Sequence, residues 1–346
     1  MNRVWIAAPR TGLALVFSLA LVPAASDVSA VARSAEAEVQ RAEGSFQRTL
    51  TVSAPVTIDV VSGSGRIEVR PGAAGRVEVS AKIQAHENRG SRRSSLSPEE
   101  QVRRIEANPP IEQSGGVVRI GHIADEELRN GVSISYTLSV PAASTLTART
   151  GSGSQHIEGI DGRVEASTGS GSLTFRNIGA ALRASTGSGS IVADTVRGAL
   201  HANTGSGRIQ ATGVSGAINA STGSGGIDVS QTGGGDVDLA TGSGTIRARG
   251  LRGRVEATAS SGTLDVQGEL SGDWRLSTSS GGVTVSLPAS QGFELDASTG
   301  SGRIDTDFPV TVSGTVNRRS LRGTTKSGGP LLRVRTASGS ISIRRL

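Results

Sequence analysis

The chain has 346 residues and a formal net charge of +6, with 2% aromatic residues, 48 glycines and no cysteine. So few large side chains exclude a thick globular core, because aromatics supply much of the buried area in such cores. The lack of cysteine excludes a disulfide framework, a lipid-modified cysteine and cysteine-based metal sites.

The N-terminus reads as a secretory signal. Arg3 and Arg10 form a positive region, and Gly12 to Val22 is an apolar stretch of eleven residues. Val28-Ser29-Ala30 fits a cleavage site. The run is too short for a bilayer span, which takes roughly 20 residues. Export is therefore expected, with residues 1–30 removed and no transmembrane segment afterwards. The remaining charge, about +5 by the same count, reads as spread along the chain. Without clustered Lys/Arg or stacking aromatics, no nucleic-acid partner is expected.

Residues 31–45 lack alternation and are expected to form a flexible leader. Strands are expected at Thr49–Val52, Val56–Val60, Arg66–Val69 and Val77–Ile83, within an N-terminal region spanning 46–140. Residues 84–130 break the pattern. Ser97-Pro98-Glu99-Glu100 is a capping box with proline at the first helical position. It predicts a helix to about Ala107, with Val102 and Ile105 on one face. Strand is expected again at Ile111–Gln113, Val117–Ile123 and Ser133–Val140. Such an insertion suits a cap over the end of a sheet.

The repeat then dominates. Thr-Gly-Ser-Gly starts at Thr150, Thr168, Thr186, Thr204, Thr222 and Thr241, with spacings of 18, 18, 18, 18 and 19. Variants begin at Ala259, Thr278, Thr299 and Thr336, and Ser62-Gly63-Ser64-Gly65 is an early copy. Within Thr186 to Asn203, Ile191 and Ala193 alternate with polar residues, as do Leu200 and Ala202, around a turn at Val196 to Gly198. Period-two alternation over so few residues means a short half-buried strand. Each unit thus holds two strands and two turns, with glycine expected to supply positive φ in the Gly-Ser-Gly reversal.

One unit cannot bury its apolar face alone, so units must stack. Stacking puts Ile160, Ile178, Val196 and Val214 in one file, Val164, Leu182, Leu200 and Ile218 in a second, and Ala166, Ala184, Ala202 and Ala220 in a third. The expectation is an all-β fold: a parallel β-solenoid over 141–346 with coils of about 18 residues. Outward charges follow the same register, namely Glu158–Arg176–Asp194, Glu165–Arg183 and Asp228–Arg247–Asp265, and read as pairing between coils. Residues 308–330, with Arg318, Arg319, Arg322 and Lys326, read as an excursion. Leu332, Val334, Ile341 and Ile343 then supply a last coil, closed by Arg344 and Arg345 against edge-to-edge growth.

The Ser-Gly-Ser-Gly-Arg-Ile-Glu-Val run at 62–69, the units at 150–304 and Gly-Gly-Pro-Leu-Leu-Arg-Val-Arg-Thr-Ala-Ser-Gly-Ser-Ile at 328–341 resemble a bacterial family. It is a β-strand-repeat family of uncharacterised function, often labelled adhesin. The resemblance implies an adhesin-like β-solenoid over most of 46–346 and carries no catalytic residues.

Candidate chemistry is thin. Calcium-binding nonapeptide solenoids need Asp where this chain has Leu173, Ile191, Ile209, Ile227 and Ile246. Asp296, Asp305 and Asp307 near Arg303 are the best gathering for carbohydrate cleavage, but they alternate with inward Leu295 and Ile304 as solvated strand residues do. His86, His122, His156 and His201 lack metal-ligand spacing. The Gly-x-Gly strings lack the following helix and Lys of a phosphate loop. A Thr ladder from Thr150 to Thr241 raises binding to ice or a crystalline polysaccharide, along a narrow strip beside the turns. No catalytic, cofactor or metal residues are assigned. The expected role is an exported, non-enzymatic, adhesin-like protein of the cell envelope or surface, whose partner is a polysaccharide or another envelope protein. The alternative is an envelope polysaccharide-binding or polysaccharide-cleaving β-helix.

Overall fold

The computed structural model describes residues 41–53, 55–87, 95–312 and 317–346. The signal segment and most of the expected leader, up to residue 40, lie outside them. Two long sheets face each other, one of 14 strands (sheet A) and one of 15 (sheet B). Each repeat contributes one strand to each sheet, as Ile191–Val196 in sheet A and Leu200–Thr204 in sheet B. Neighbouring repeats pair in parallel, with Ile191 beside Ile209 and Leu200 beside Ile218, and the register shifts by one residue only at the corner ends of Ile209–Val214 and Ile246–Arg252. Equivalent residues therefore stack at the strand spacing of about 4.8 Å.

The three apolar files expected from the repeat are buried throughout. The alanine file of sheet B faces Phe175, Ala193, Ala211 and Val229 of sheet A, all buried. A long interior can hold together with few aromatics because each inward methyl or branched side chain meets its own kind above and below. Burying such side chains contributes roughly 1.5–3 kcal/mol each for the larger ones.

The corners differ from the expected turn chemistry. The glycines of Thr-Gly-Ser-Gly do not have positive φ. They are needed because the coils touch there: a Cβ on Gly207 would lie 1.8 Å from the Gly189 carbonyl oxygen, and one on Gly189 1.9 Å from that of Gly171. Positive φ falls at the other corner, on Gly159, Asn177, Thr195, Gly213 and Gly250. The threonine that opens each motif ends its strand and is buried. Thr186 donates its hydroxyl to Gly171 O at 2.9 Å, in the preceding coil, and accepts from Gly189 N at 3.1 Å. One hydroxyl thus serves both its own turn and the preceding coil.

Both ends of the array rearrange the simple order. At the N-terminal end, strand Arg41–Thr51 begins inside the expected leader, because residues 41–45 pair antiparallel with Lys82–His86. The early Ser-Gly-Ser-Gly copy is the coil directly beneath Thr150, with Ser62 beside Thr150. Ser62 plays the threonine part: its hydroxyl donates to Ile134 O at 2.7 Å and accepts from Gly65 N at 3.0 Å. Strand Ile67–Gly72 continues that coil in sheet A, paired in parallel with Gln155–Ile160. Strand Arg76–His86 runs three residues into the expected insertion, and Ile111–Ser114 with Val117–Ile120 extends sheet B as a hairpin.

Helix α1, Pro98–Ala107, is capped by the Ser97 hydroxyl and buries Val102 and Ile105. Its Glu106 carboxylate accepts the N–H of Ser45 at 2.8 Å, which satisfies a donor on the outermost strand of sheet A. A second short helix, α2 at Glu126–Arg129, has no counterpart in the sequence reading.

At the C-terminal end, the last coil in sequence is not the last in space. Strand Leu331–Ser338 inserts between Trp274–Ser280 and Phe293–Ser301, and Ile341–Arg345 inserts between Val283–Leu287 and Ile304–Thr306. The terminal coil is the one before it, flanked by the excursion strand Ser320–Thr325, antiparallel to Phe293–Ser301. Arg344 and Arg345 therefore do not close the stack. Arg344 bonds Asp307 at 3.0 Å, and the Arg345 guanidinium sits 5.5 Å from the Phe308 ring centroid.

Candidate ligand-binding face

The outward face of sheet B carries the most distinctive surface. One residue before each inward Val, Leu or Ile that opens a sheet B strand, the file reads Arg163, Ala181, Ala199, Ala217, Asp236, Arg254. Three successive alanines leave a trough where long side chains stand on either side. It measures about 510 Å³. One wall is the file Glu165, Arg183, His201, Asn219, Asp238. The trough runs across the strands, along the stack.

Polar groups beside it are pre-ordered. The Ser221 hydroxyl donates to Asn203 Oδ1 at 2.6 Å. The Asn203 amide nitrogen is then the donor toward His201 Nε2, 3.1 Å away, which makes that nitrogen the acceptor of a neutral imidazole. Burial, and then the Arg183 guanidinium, hold the His201 pKa below the ordinary histidine value. The trough thus offers small apolar floor groups, a fixed hydrogen-bonding chain and charges of both signs. Asp238 and Glu256 are in-register neighbours at one end, and Glu256 is held by Arg254 at 2.8 Å.

The structure does not bring the sequence candidates together. Asp296 is on the outward face of sheet B, clamped by Arg322 and Arg333, each at 3.1 Å, with Arg335 at 3.9 Å. Asp305 lies on the edge strand of sheet A and pairs with Arg303 at 3.0 Å. Asp307 is held below the usual carboxylate range by the Arg345 backbone N–H and by Arg344. His122 lies 3.2 Å from Asp59 and His156 3.7 Å from Glu158. Among the described residues, no three His, Asp or Glu side chains form a metal-holding group. The residues at the calcium-motif positions, Leu173 to Ile246, are buried inward.

Three expectations are corrected. The Thr ladder is buried and its hydroxyls are spent on backbone carbonyls, so it offers no strip to ice or crystalline glycan. The outward charges share files as expected, and some bridges join adjoining coils, as Arg249–Asp228 at 3.8 Å and Arg252–Glu269 at 3.5 Å. Others form along the chain, as in Arg254–Glu256 and Arg303–Asp305, and the pairs expected in the named files stay open. Among the described residues, Arg176, Arg183 and Arg247 close no salt bridge to their in-register acids. The charge excess is not spread along the chain: residues 293–346 hold nine Lys and Arg against four Asp and Glu, five of the six net positive charges. The trough itself was missed because its signal, three alanines at an outward position, looks like ordinary surface.

A second, smaller cavity of about 290 Å³ lies beneath α2, between the cap and the first coil. The Tyr136 hydroxyl at its wall is buried and has no hydrogen-bond partner among the described residues.

The sequence matches the Toastrack DUF4097 family over residues 112–344, and the chain belongs to that family. No curated protein matches it significantly. Among solved structures it is similar to a candidate cell adhesion protein from Clostridium sporogenes ATCC 15579, at 12% identity and a TM-score of 0.23, covering 88% of this chain and 100% of that one. It is also similar to a candidate adhesin from Bacteroides fragilis NCTC 9343, at 13% identity and a TM-score of 0.31, covering 88% and 97%. Among the described residues, no helix is long and apolar enough to cross a membrane.

Proposed function

We propose that this Toastrack protein is an exported, non-enzymatic recognition module of the cell envelope, which holds an extended polymer along the outward face of sheet B. The carrying observation is the trough floored by Ala181, Ala199 and Ala217, which runs along the stack and so repeats its contacts once per coil. A polymer with a short chemical repeat can meet equivalent groups on successive coils. Many weak contacts held in parallel give an avidity well above any single one. A polysaccharide suits the mixture of small floor groups, amide, hydroxyl and charged walls. The N-terminal signal pattern supports export.

A polysaccharide-cleaving role is the second reading, and Asp238 beside Glu256 is the observation in its favour. Retaining glycosidases set their two carboxyl groups about 5–5.5 Å apart. Asp238 is exposed and Glu256 half-buried here, however, on an open face that does not exclude water.

The test is a polysaccharide-binding panel run beside a reducing-end assay, with Ala199→Arg as the blocking variant. Binding that Ala199→Arg abolishes, with no product, supports recognition. Product formation lost in Asp238→Asn or Glu256→Gln overturns the non-enzymatic reading. Fractionation of cells for the processed chain tests export.

A further inference from the structure

The sheet-B face continues past the trough into a region of different charge. The wall file that reads Glu165, Arg183, His201, Asn219, Asp238, Glu256 goes on through Arg275, Arg333, Asp296 and Arg322. Arg335 sits on the same face, two residues along the strand from Arg333. These arginines come from separate parts of the sequence and meet only because the C-terminal coil inserts beside the terminal one. Arg322, Arg333 and Arg335 line an open hollow of about 500 Å³, with Glu294 and Thr324 at its rim, and Arg275 stands just beyond it, in register with Arg333 on the next strand.

One carboxylate already occupies the cluster. Asp296, at 15% side-chain exposure, receives the Nε of Arg322 on one oxygen and the Nε of Arg333 on the other. Nε–H is a single donor, and a guanidinium offers five. The remaining donors of the three solvent-facing arginines are available to a second anion, in the fork geometry that suits carboxylates. The wider surroundings favour this, since the last 54 residues hold nearly all the chain's net positive charge.

We infer that this hollow is a second binding site, for the acidic groups of a carboxylate-bearing polysaccharide. The inference rests on the polymer reading of the sheet-B face and adds the sign of the polymer's charge and the end that grips it. A polysaccharide is favoured over nucleic acid because neither the hollow nor the trough presents a Phe, Tyr or Trp ring for base stacking. It is favoured over a lipid surface because no large apolar side chain is exposed on these strands to enter a bilayer.

The experiment uses the full chain and immobilised polygalacturonate, with dextran, double-stranded DNA and phosphatidylglycerol vesicles as comparison surfaces. Polygalacturonate should bind best, and its affinity should fall about tenfold between about 50 and 500 mM salt, as screening weakens exposed charge contacts. Arg275→Gln with Arg335→Gln should lower that affinity about tenfold, while Arg335→Lys keeps the charge but loses the fork and should lower it less. Arg275 and Arg335 are chosen because, among the described residues, Arg275 forms no bridge to Asp296 and Arg335 only a loose one at 3.9 Å, whereas Arg322 and Arg333 bond it at 3.1 Å and so bear on folding. Unchanged melting of the variants separates lost binding from lost structure. Equal binding to dextran and polygalacturonate, or salt-independent binding, would overturn the charge assignment and leave the trough reading standing. Tighter binding to DNA or vesicles would also overturn it. Binding to no polysaccharide would overturn both readings.

Discussion

The Thr204 hydroxyl donates to the Gly189 carbonyl oxygen at 2.8 Å, one coil below, and accepts the N–H of Gly207 at 3.1 Å. One side chain thus closes its own turn and fastens that turn to the next. The same pair of bonds recurs at Thr168, Thr186 and Thr222. Thr204→Val keeps the shape and removes both bonds, leaving a buried donor and acceptor open. It should cost about 1–3 kcal/mol, because unmade buried bonds forfeit the full desolvation of each group. Thr204→Ser should cost less than half of that. Equilibrium denaturation of the two variants decides it; equal losses would mean that the methyl group, not the hydroxyl, matters.

The glycines of the motif make a separate prediction. A Cβ on Gly207 would meet the Gly189 carbonyl oxygen at 1.8 Å, which no rotamer change relieves. Gly207→Ala must therefore push two coils apart, at a cost of at least about 3 kcal/mol. A Cβ on Gly205 would likewise lie 2.4 Å from the Gly187 carbonyl oxygen, whereas Gly63, its counterpart in the first coil, has nothing within 4 Å of its Cβ direction. Gly63→Ala should be neutral within about 0.5 kcal/mol. Thermal melting of both variants tests whether closeness, rather than backbone freedom, selects glycine here.

Thr195 stands at the positive-φ corner with φ of 60°, where the neighbouring coils place Asn177 and Gly213. A β-branched residue in the left-handed region carries strain of about 1–2 kcal/mol. Thr195→Asn should raise stability by about 1 kcal/mol, since asparagine tolerates this conformation. Denaturant midpoints measured at constant slope would show it; a drop in midpoint would mean that the weak Thr195 to Asp194 contact at 3.3 Å outweighs the strain.

These predictions mark where the sequence was readable. Burial with period two and a motif with period 18 fix which residues point inward and which lie on adjoining coils, so Ile191 beside Ile209 follows from spacing alone. Spacing cannot order coils that all carry the same edge. Thr278, Thr299 and Thr336 motifs are interchangeable as neighbours, and only the coordinates place the third between the other two. The Asp296 cluster was invisible for the same reason, because Arg322, Arg333 and Arg335 meet only after that insertion. The strand at 41–45 was missed because its pairing partner lies forty residues away and its own residues are polar.

His201 gives the candidate face a pH dependence. Its folded pKa is lowered, by burial first and by Arg183 second, so the unfolded chain binds the proton more readily. Its neutral form stabilises the fold fully above the unfolded value of about 6.5, and that contribution is lost as pH falls from there through the lowered folded value. His201→Asn, the residue that Asn219 already places in the next coil, should flatten the stability profile across that window. Ligand binding in the trough should weaken over the same range if a neutral imidazole is needed as acceptor from Asn203. Melting temperatures of both proteins across mildly acidic pH test the first part. An unchanged slope would show that His201 is not the titrating group.

The inserted C-terminal coil bears on how the array is finished. Leu332, Val334, Ile341 and Ile343 are fully buried between two coils that come earlier in the chain. Both neighbours lean on it: Gly281 N–H bonds Ser338 O at 3.0 Å on one side, and Ile341 N–H bonds Arg303 O at 2.9 Å on the other. A chain ending after Gly329 should keep the coils up to Leu287, whose last strands lose one neighbour but still pair with Val255–Ser261 and Leu264–Glu269. Residues 293–329 would lose their main partner and the Arg333 and Arg335 half of the Asp296 clamp. Limited proteolysis should then cut within 293–329 while the segment from 145 to 287 stays protected. The opposing outcome has a clear physical route, because the Thr299 motif could pair directly with the Thr278 motif once the space between them closes. Continued protection of 293–329 in the truncated chain would show that this repacking occurs, and that the insertion is not needed to hold the terminal coil.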